Sequence, residues 1–138
     1  MFCVACTLLV GCGEVADAFY PTVADARAKG AVSAGWIPEW IPFGASNLRE
    51  VHDIDTNESA LSFDIPPGSW RTPSHCRPAE GGQFVESKFS RPWLPSRIEL
   101  TSKYSFFSCS GQLHPQMYQA FAVRADGAHV LQWTAFAR

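Results

Sequence analysis

The sequence has little charge and no strong excess of either sign. Eleven Lys and Arg stand against thirteen Asp and Glu, for a formal net charge of -2, and charged residues make up 17% of the 138 residues. A protein that binds nucleic acid through its phosphates normally shows a basic excess, so we expect no nucleic-acid partner. The sequence also lacks an apolar run of the roughly 18 to 20 residues that a membrane-spanning helix requires.

Apolar and aromatic residues, in contrast, are plentiful. Ten Phe, five Trp and three Tyr are present, and 46% of the residues are hydrophobic. This composition argues against disorder, and the length suits one domain with a substantial core. The five tryptophans could line a glycan or peptide groove, but their density in so short a chain favours core packing. They are Trp36, Trp40, Trp70, Trp93 and Trp133.

The first twelve residues form an uncharged and largely apolar segment. It ends in Leu9-Val10-Gly11-Cys12, where small residues follow the apolar stretch as they do at the cleavage point of a secretory signal. This ending resembles the lipobox of bacterial lipoproteins. The resemblance implies cleavage before Cys12, and acylation of that cysteine with fatty acids of the palmitate type.

The lipobox resemblance also implies an anchor and a location. Three acyl chains hold a protein on a membrane far better than one chain does. In such families an Asp after the cysteine favours the inner membrane, and Gly13 stands there instead, which favours the outer membrane. We therefore expect a signal peptide at residues 1–11, a lipidated tether at 12–18 and one extracytoplasmic domain at 19–138.

The cysteine count agrees with export. Cys3 and Cys6 lie in the expected signal and lipidation uses Cys12, which leaves Cys76 and Cys109. Two cysteines in an oxidising compartment predict a disulfide.

Two other functions are open to these cysteines. A zinc site could combine Cys76 and Cys109 with His75 and His114, but no CxxC or HxxxH spacing supports it. A catalytic thiol would need an activating base, which the sequence does not indicate.

Periodicity and turn residues predict an α+β fold, a small antiparallel sheet with one N-terminal helix packed on it in a single domain. Thr22 and Asp25 fit a capping box at the start of the helix, and Gly30 follows its end. Strands are predicted over residues 47–54, 60–65, 104–109, 117–125 and 128–136, and residues 68–92 are predicted to be an irregular loop.

Specific registers follow from two of these strands. Asp126-Gly127 is a preferred hairpin turn, and it would place Leu131 opposite Ala122 and Trp133 opposite Ala120. In the 60–65 strand, Leu61, Phe63 and Ile65 alternate onto one face.

A group of oxygen-bearing residues follows the first predicted strand after the helix. Asp53, Asp55 and Asn57 at alternate positions are similar to the opening of a calcium loop, but the expected glycine and the distal glutamate are missing. The same residue types shape hairpin turns by bonding to their own backbone. The turn is the favoured interpretation, and the three residues remain weak candidates for a cation site.

Catalytic patterns are weak throughout. A Ser-His-Asp triad could draw on His52, His75, His114 or His129, but no Gly-x-Ser-x-Gly signature is present. His52 beside Asp53 could form an acid/base pair, although such a pair is more often structural. Gly81-Gly82 lacks the Lys-Ser/Thr that a phosphate-binding loop requires. These patterns indicate no catalytic residue and no cofactor.

One stretch carries a family resemblance. Gly35-Trp36-Ile37-Pro38, then Asn47-Leu48-Arg49-Glu50 and His52-Asp53-Ile54-Asp55-Thr56-Asn57, resemble small bacterial lipoproteins with a YbbD-type head domain. Trp93-Leu94-Pro95, before an aromatic strand, is also similar. The resemblance is specific mainly over residues 35–57. It implies the fold and the location, and it brings no activity, cofactor or catalytic residue.

These observations predict a lipid-anchored lipoprotein of the bacterial cell envelope that faces the periplasm. We expect a non-enzymatic interaction or structural module, with the membrane and an envelope protein as partners. Two alternatives remain. One is a small-ligand or cation-binding module centred on His52–Asn57, and the other is a hydrolase that acts on envelope polymers.

Overall fold

The structure, a computed structural model, describes residues 14–80, 84–110 and 115–137. These residues form β1 (Val15–Thr22), α1 (Val23–Ala28), β2 (Ser46–Asp53), β3 (Ser59–Asp64), β4 (Cys76–Ala79), α2 (Arg97–Lys103), β5 (Tyr104–Cys109), β6 (Met117–Arg124) and β7 (His129–Phe136). The seven strands make one antiparallel sheet in the order β1-β2-β3-β7-β6-β5-β4. The predicted signal peptide and Cys12 lie outside the described residues. Among the described helices, none has the length and apolar character to cross a membrane.

Strand β1 was not predicted from the sequence. Residues 15–18, expected to belong to a tether, pair with β2 from Val15 opposite Asp53 onwards. Most residues of β1 are exposed, and Phe19 among them is 50% exposed. An edge strand like this one shows little alternation of burial, so periodicity does not reveal it.

Two short helices are present instead of the single helix that was expected. In α1 Thr22 is the predicted N-cap, since its Oγ1 accepts a hydrogen bond from the Asp25 N–H at 3.1 Å. The Asp25 carboxylate accepts in return from the Thr22 hydroxyl, at 2.7 Å, where a capping box would use the Thr22 backbone N–H. The second helix, α2, is capped by Ser96, whose hydroxyl accepts from the Glu99 N–H at 3.2 Å. Because α2 has no buried residue, it has no apolar stripe from which a helix could have been predicted.

The sheet is buried on both faces. The first face carries an apolar cluster that includes Leu48, Leu61, Phe63, Phe121 and Val130, with Ile37 and Ile41 from the segment after α1 packed into it. The second face carries Val51, Ala60, Phe106, Leu131 and Trp133, against which Phe84, Phe89, Trp93, Leu94 and Leu100 pack. In β3, four consecutive residues, Ala60 to Phe63, are therefore buried. Leu61 and Phe63 share one face as predicted, but the other face of β3 is covered as well.

The C-terminal hairpin has the predicted register, with Leu131 opposite Ala122 and Trp133 opposite Ala120. The region predicted to be a loop at 68–92, however, contains β4, which pairs with β5 at the far edge of the sheet. Cys76 on β4 and Cys109 on β5 are register partners, and a disulfide joins them. β4 is only four residues long, too short for its alternation to show.

Reduction of this disulfide should lower the free energy of unfolding. It joins residues 33 positions apart, and a cross-link of that span stabilises a fold by roughly 3 to 4 kcal/mol in the chain-entropy model. Urea unfolding with and without reductant measures the change. A Cys76→Ser/Cys109→Ser variant is the control, because reductant should not move its midpoint. An unchanged midpoint for the native protein would contradict a stabilising disulfide.

Candidate functional site

The predicted cation-binding residues lie in and beside the turn between β2 and β3. Asp53 Oδ1 accepts hydrogen bonds from the N–H groups of Asp55, at 2.9 Å, and Thr56, at 3.3 Å. Asn57 adopts a positive φ of 59°, which Asn tolerates better than most residues do. The side chain of Asp53 thus shapes the turn, while Asp55 and Asn57 are exposed.

Lys88 occupies the position beside Asp53 that a bound cation would take. Lys88 Nζ donates to Asp53 Oδ2, to Thr56 Oγ1 at 3.1 Å and to Glu58 Oε2 at 2.9 Å. Glu58 is 1% exposed, and its Oε1 accepts from the Phe136 N–H at 3.1 Å. The ammonium group therefore pairs with two carboxylates and ties the loop that covers the second face to the β2–β3 turn.

These contacts shift the pKa values of all three groups. The hydrogen bond from Lys88 holds the pKa of Asp53 below its ordinary value. Burial acts to raise the pKa of Glu58, but hydrogen bonds from Lys88, Phe136 and Thr56 lower it overall. Burial acts to lower the pKa of Lys88, and its bonds to Asp53 and Glu58 raise it overall. All three groups are therefore charged at neutral pH.

The other predicted site residues do not converge. Among the described residues, the one group of three His, Cys or acidic side chains close enough to share a metal ion is His75, Cys76 and Cys109. Its two sulfurs are bonded to each other in the disulfide, so they are not thiolate ligands. His114 and Gly81-Gly82 lie outside the described residues.

Two of the histidines are paired with carboxylates at opposite ends of β3. His129 Nδ1 lies 2.6 Å from Asp64 Oδ1, and His129 is the register partner of Asp64. His52 is the register partner of Ser59 at the other end of the same strand.

The partner of His52 is Glu50 and not the adjacent Asp53. His52 Nδ1 lies 2.6 Å from Glu50 Oε1, and the Trp36 ring stacks on the imidazole with 3.7 Å between ring centroids and 9° between planes. Glu50 is 1% exposed, and its Oε2 has no hydrogen-bond partner within the described residues. Residues two apart on a strand share a face, whereas adjacent residues do not. Applied to β2, this period would have identified the pair.

Burial sets the charge of this pair. It raises the pKa of Glu50 to about 8, with a further contribution from the negative charge of Asp17. Burial also lowers the pKa of His52, although Asp17 and Asp53 act in the opposite direction. Both side chains are therefore neutral near pH 7. They are joined by one hydrogen bond. Either the protonated Glu50 carboxyl donates to His52 Nδ1, or the Nδ1–H of the other tautomer donates to Glu50 Oε1.

A cleft of about 390 Å³ opens beside Trp36 on the first face of the sheet. Ala34, Gly35, Trp36 and Pro38 form one side of it, and polar residues of three strands form the floor. Ser59 on β3 and Gln119 on β6 are both register partners of Thr134 on β7, so the three make a row across the sheet. Gln132, which is 5% exposed, lies two residues before Thr134 on β7 and therefore on the same face. This floor was not predicted from the sequence, although a glutamine between the apolar residues of a strand was the available signal.

The comparison with protein families confirms the resemblance found in the sequence. Residues 14–64 match the family model of the YbbD head domain. The match spans less than half of the chain and covers β1, α1, β2 and β3, together with Trp36, Glu50 and His52. No curated protein and no solved structure gives a significant match.

Replacement of Lys88 by methionine should destabilise the protein. The variant removes the ammonium group that pairs with the buried Glu58 carboxylate, and breaking a buried ion pair costs about 3 to 5 kcal/mol in comparable cases. In the native protein, stability should fall on acidification, as Asp53 and Glu58 become protonated through their lowered pKa values. In the variant that loss should shrink or reverse, because protonation then removes an uncompensated charge.

Denaturant unfolding at several pH values measures both effects. Lys103→Met is the matched control, because Lys103 pairs at 3.6 Å with Glu99 on the exposed face of α2. Equal stability losses in the two variants would contradict a special role for Lys88.

The raised pKa of Glu50 predicts that stability declines with rising pH. Between about pH 6.5 and 8, folded Glu50 retains a proton that the unfolded chain has released. The free energy of unfolding should therefore fall by up to about 1.4 kcal/mol per pH unit. Below pH 6.5 the lowered pKa of His52 gives a slope of opposite sign, so the upper window isolates Glu50.

Glu50→Gln is the variant that tests this slope. An amide keeps the shape of the side chain and does not titrate, so the decline between pH 6.5 and 8 should disappear. Unfolding midpoints at closely spaced pH values provide the comparison. The same decline in both proteins would mean that Glu50 ionises normally.

Proposed function

We propose that this protein is a lipid-anchored lipoprotein of the bacterial cell envelope, and that its domain faces the periplasm as a non-enzymatic interaction or structural module. Cys12 would carry the lipid, after removal of residues 1–11, and the outer membrane is the proposed location. The membrane and an envelope protein are the proposed partners.

The observation that carries the location is the Cys76–Cys109 disulfide. Both cysteines are buried and opposite each other on neighbouring strands. Disulfides persist in the periplasm and at cell surfaces, and they are rare in the reducing cytosol. The match of residues 14–64 to the YbbD head domain supports the same proposal, because the resemblance in the sequence was to lipoproteins that carry this domain.

The lining of the cleft beside Trp36 supports binding over catalysis. Among the described residues that line it, none has a side chain that titrates near neutral pH. Its hydroxyl and amide side chains form hydrogen bonds but do not exchange protons readily at neutral pH.

We also infer that α1 is held on the sheet as the single-domain prediction requires. Val23 and Ala26 are its buried residues. Both belong to the apolar cluster of the first face that contains Leu48 and Phe63.

Mass spectrometry of the intact protein from membranes tests the anchor. We expect a chain that begins at Cys12, carries three acyl chains and gains two hydrogens on reduction. Cys12→Ala should abolish acylation and release the protein from the membrane fraction. Cys6→Ala is the matched control, because that cysteine lies within the proposed signal and its loss should leave processing intact. An unprocessed native chain with free thiols, found outside the membrane fraction, would contradict the proposal.

A further inference from the structure

We propose that the cleft beside Trp36 is a binding site for an uncharged saccharide. The inference takes the envelope module proposed above as its setting, since an envelope domain meets glycans in the periplasm. It depends on the geometry of the cleft and not on the lipid anchor.

The chemistry of the floor specifies an uncharged ligand rich in hydroxyl groups. Among the described residues that line the cleft, none carries a charge. Ser59, Gln119, Gln132 and Thr134 each offer both donors and acceptors. Sugar hydroxyl groups likewise donate and accept, so one ring can satisfy several of these side chains at once. A charged ligand would find no opposite charge there, and its burial would be costly.

Gln132 is the floor residue that argues most strongly for a ligand in the cleft. Its residue is 5% exposed and it lines the cleft. Its side-chain amide forms no hydrogen bond with any other part of the chain that the structure describes. The amide is reached from the cleft and is held in place by the buried remainder of the residue. A ligand hydroxyl group could therefore accept from its nitrogen or donate to its oxygen.

Trp36 supplies the second element of a sugar site, a fixed aromatic wall. The parallel stack of Trp36 on His52 holds the indole in one orientation, and His52 is fixed in turn by Glu50. The C–H surface of a sugar ring packs well on an aromatic ring, because that surface is the apolar part of an otherwise polar molecule. The cleft volume of about 390 Å³ lies in the range of small-molecule sites.

NMR titration of the isotopically labelled full chain in detergent micelles tests the proposal. The probes are N,N′,N″-triacetylchitotriose, maltotriose, cellotriose and, as a non-sugar, a capped trialanine peptide. We expect at least one sugar to shift the Trp36 indole N–H and the side-chain amide signals of Gln119 and Gln132, with millimolar affinity. If no sugar shifts these signals, if sugar shifts appear only outside the cleft, or if only the peptide acts, the proposal is overturned.

Two variants separate binding from folding. Gln132→Leu removes the unpartnered amide, so it should keep or raise the melting temperature while it weakens sugar binding by about tenfold, the value of one hydrogen bond. Phe43→Ala is the control, because Phe43 is an exposed aromatic residue outside the cleft. The affinity of this variant for the sugar should match that of the native chain. Unchanged affinity in Gln132→Leu would overturn the assignment.

The two proposals can fail separately. A native chain that lacks acylation but still binds a sugar would overturn only the location. An acylated chain whose cleft binds no sugar would overturn only the ligand.

Discussion

The burial of one sheet on both of its faces is the constraint on which the other features depend. A strand such as β3, with four consecutive buried residues, requires a cover on each side. The chain supplies these covers with segments of little regular structure, one after α1 and one between β4 and β5. Large aromatic and aliphatic side chains on these segments fill the space that longer helices would otherwise occupy. The high aromatic content and low charge of the sequence follow from this arrangement.

Two-sided burial also determines how the acidic groups are accommodated. Glu58 lies in the turn between β2 and β3 and is buried. It remains charged, because Lys88, on the segment that covers the second face, forms an ion pair with it. Glu50 is buried on the first face, and no Lys or Arg in the described part of the chain forms an ion pair with it. It therefore retains its proton and shares a hydrogen bond with His52. Trp36 packs on His52 at this end of the first face and forms one wall of the uncharged cleft. The polar end of the first face thus differs in character from the apolar remainder.

Local sequence signals predicted those parts of the structure that are locally determined. Three features depend on residues close in sequence: the N-cap at Thr22, the Asp126-Gly127 turn and the register of Leu131 and Trp133. Strands β1 and β4 were missed because edge position and short length hide their alternation. Lys88 could not be assigned to Asp53 and Glu58 from the sequence, since it lies 35 and 30 residues away from them in the chain. The pairing of Glu50 with His52 was within reach, because it follows from the period of a strand.

The central claim is that residues beyond the YbbD head match complete one sheet with it, and that this sheet unfolds as one cooperative unit. Strand β3 ends the matched region, and it pairs with β2 inside the match and with β7 far outside it. Native-state hydrogen exchange with denaturant tests this most directly. One sheet predicts that the protected amides of β2, β3, β6 and β7 open with a common free energy equal to that of global unfolding. If β2 and β3 open together at a free energy distinct from that of β6 and β7, residues 14–64 form a separate cooperative unit, and the claim is wrong.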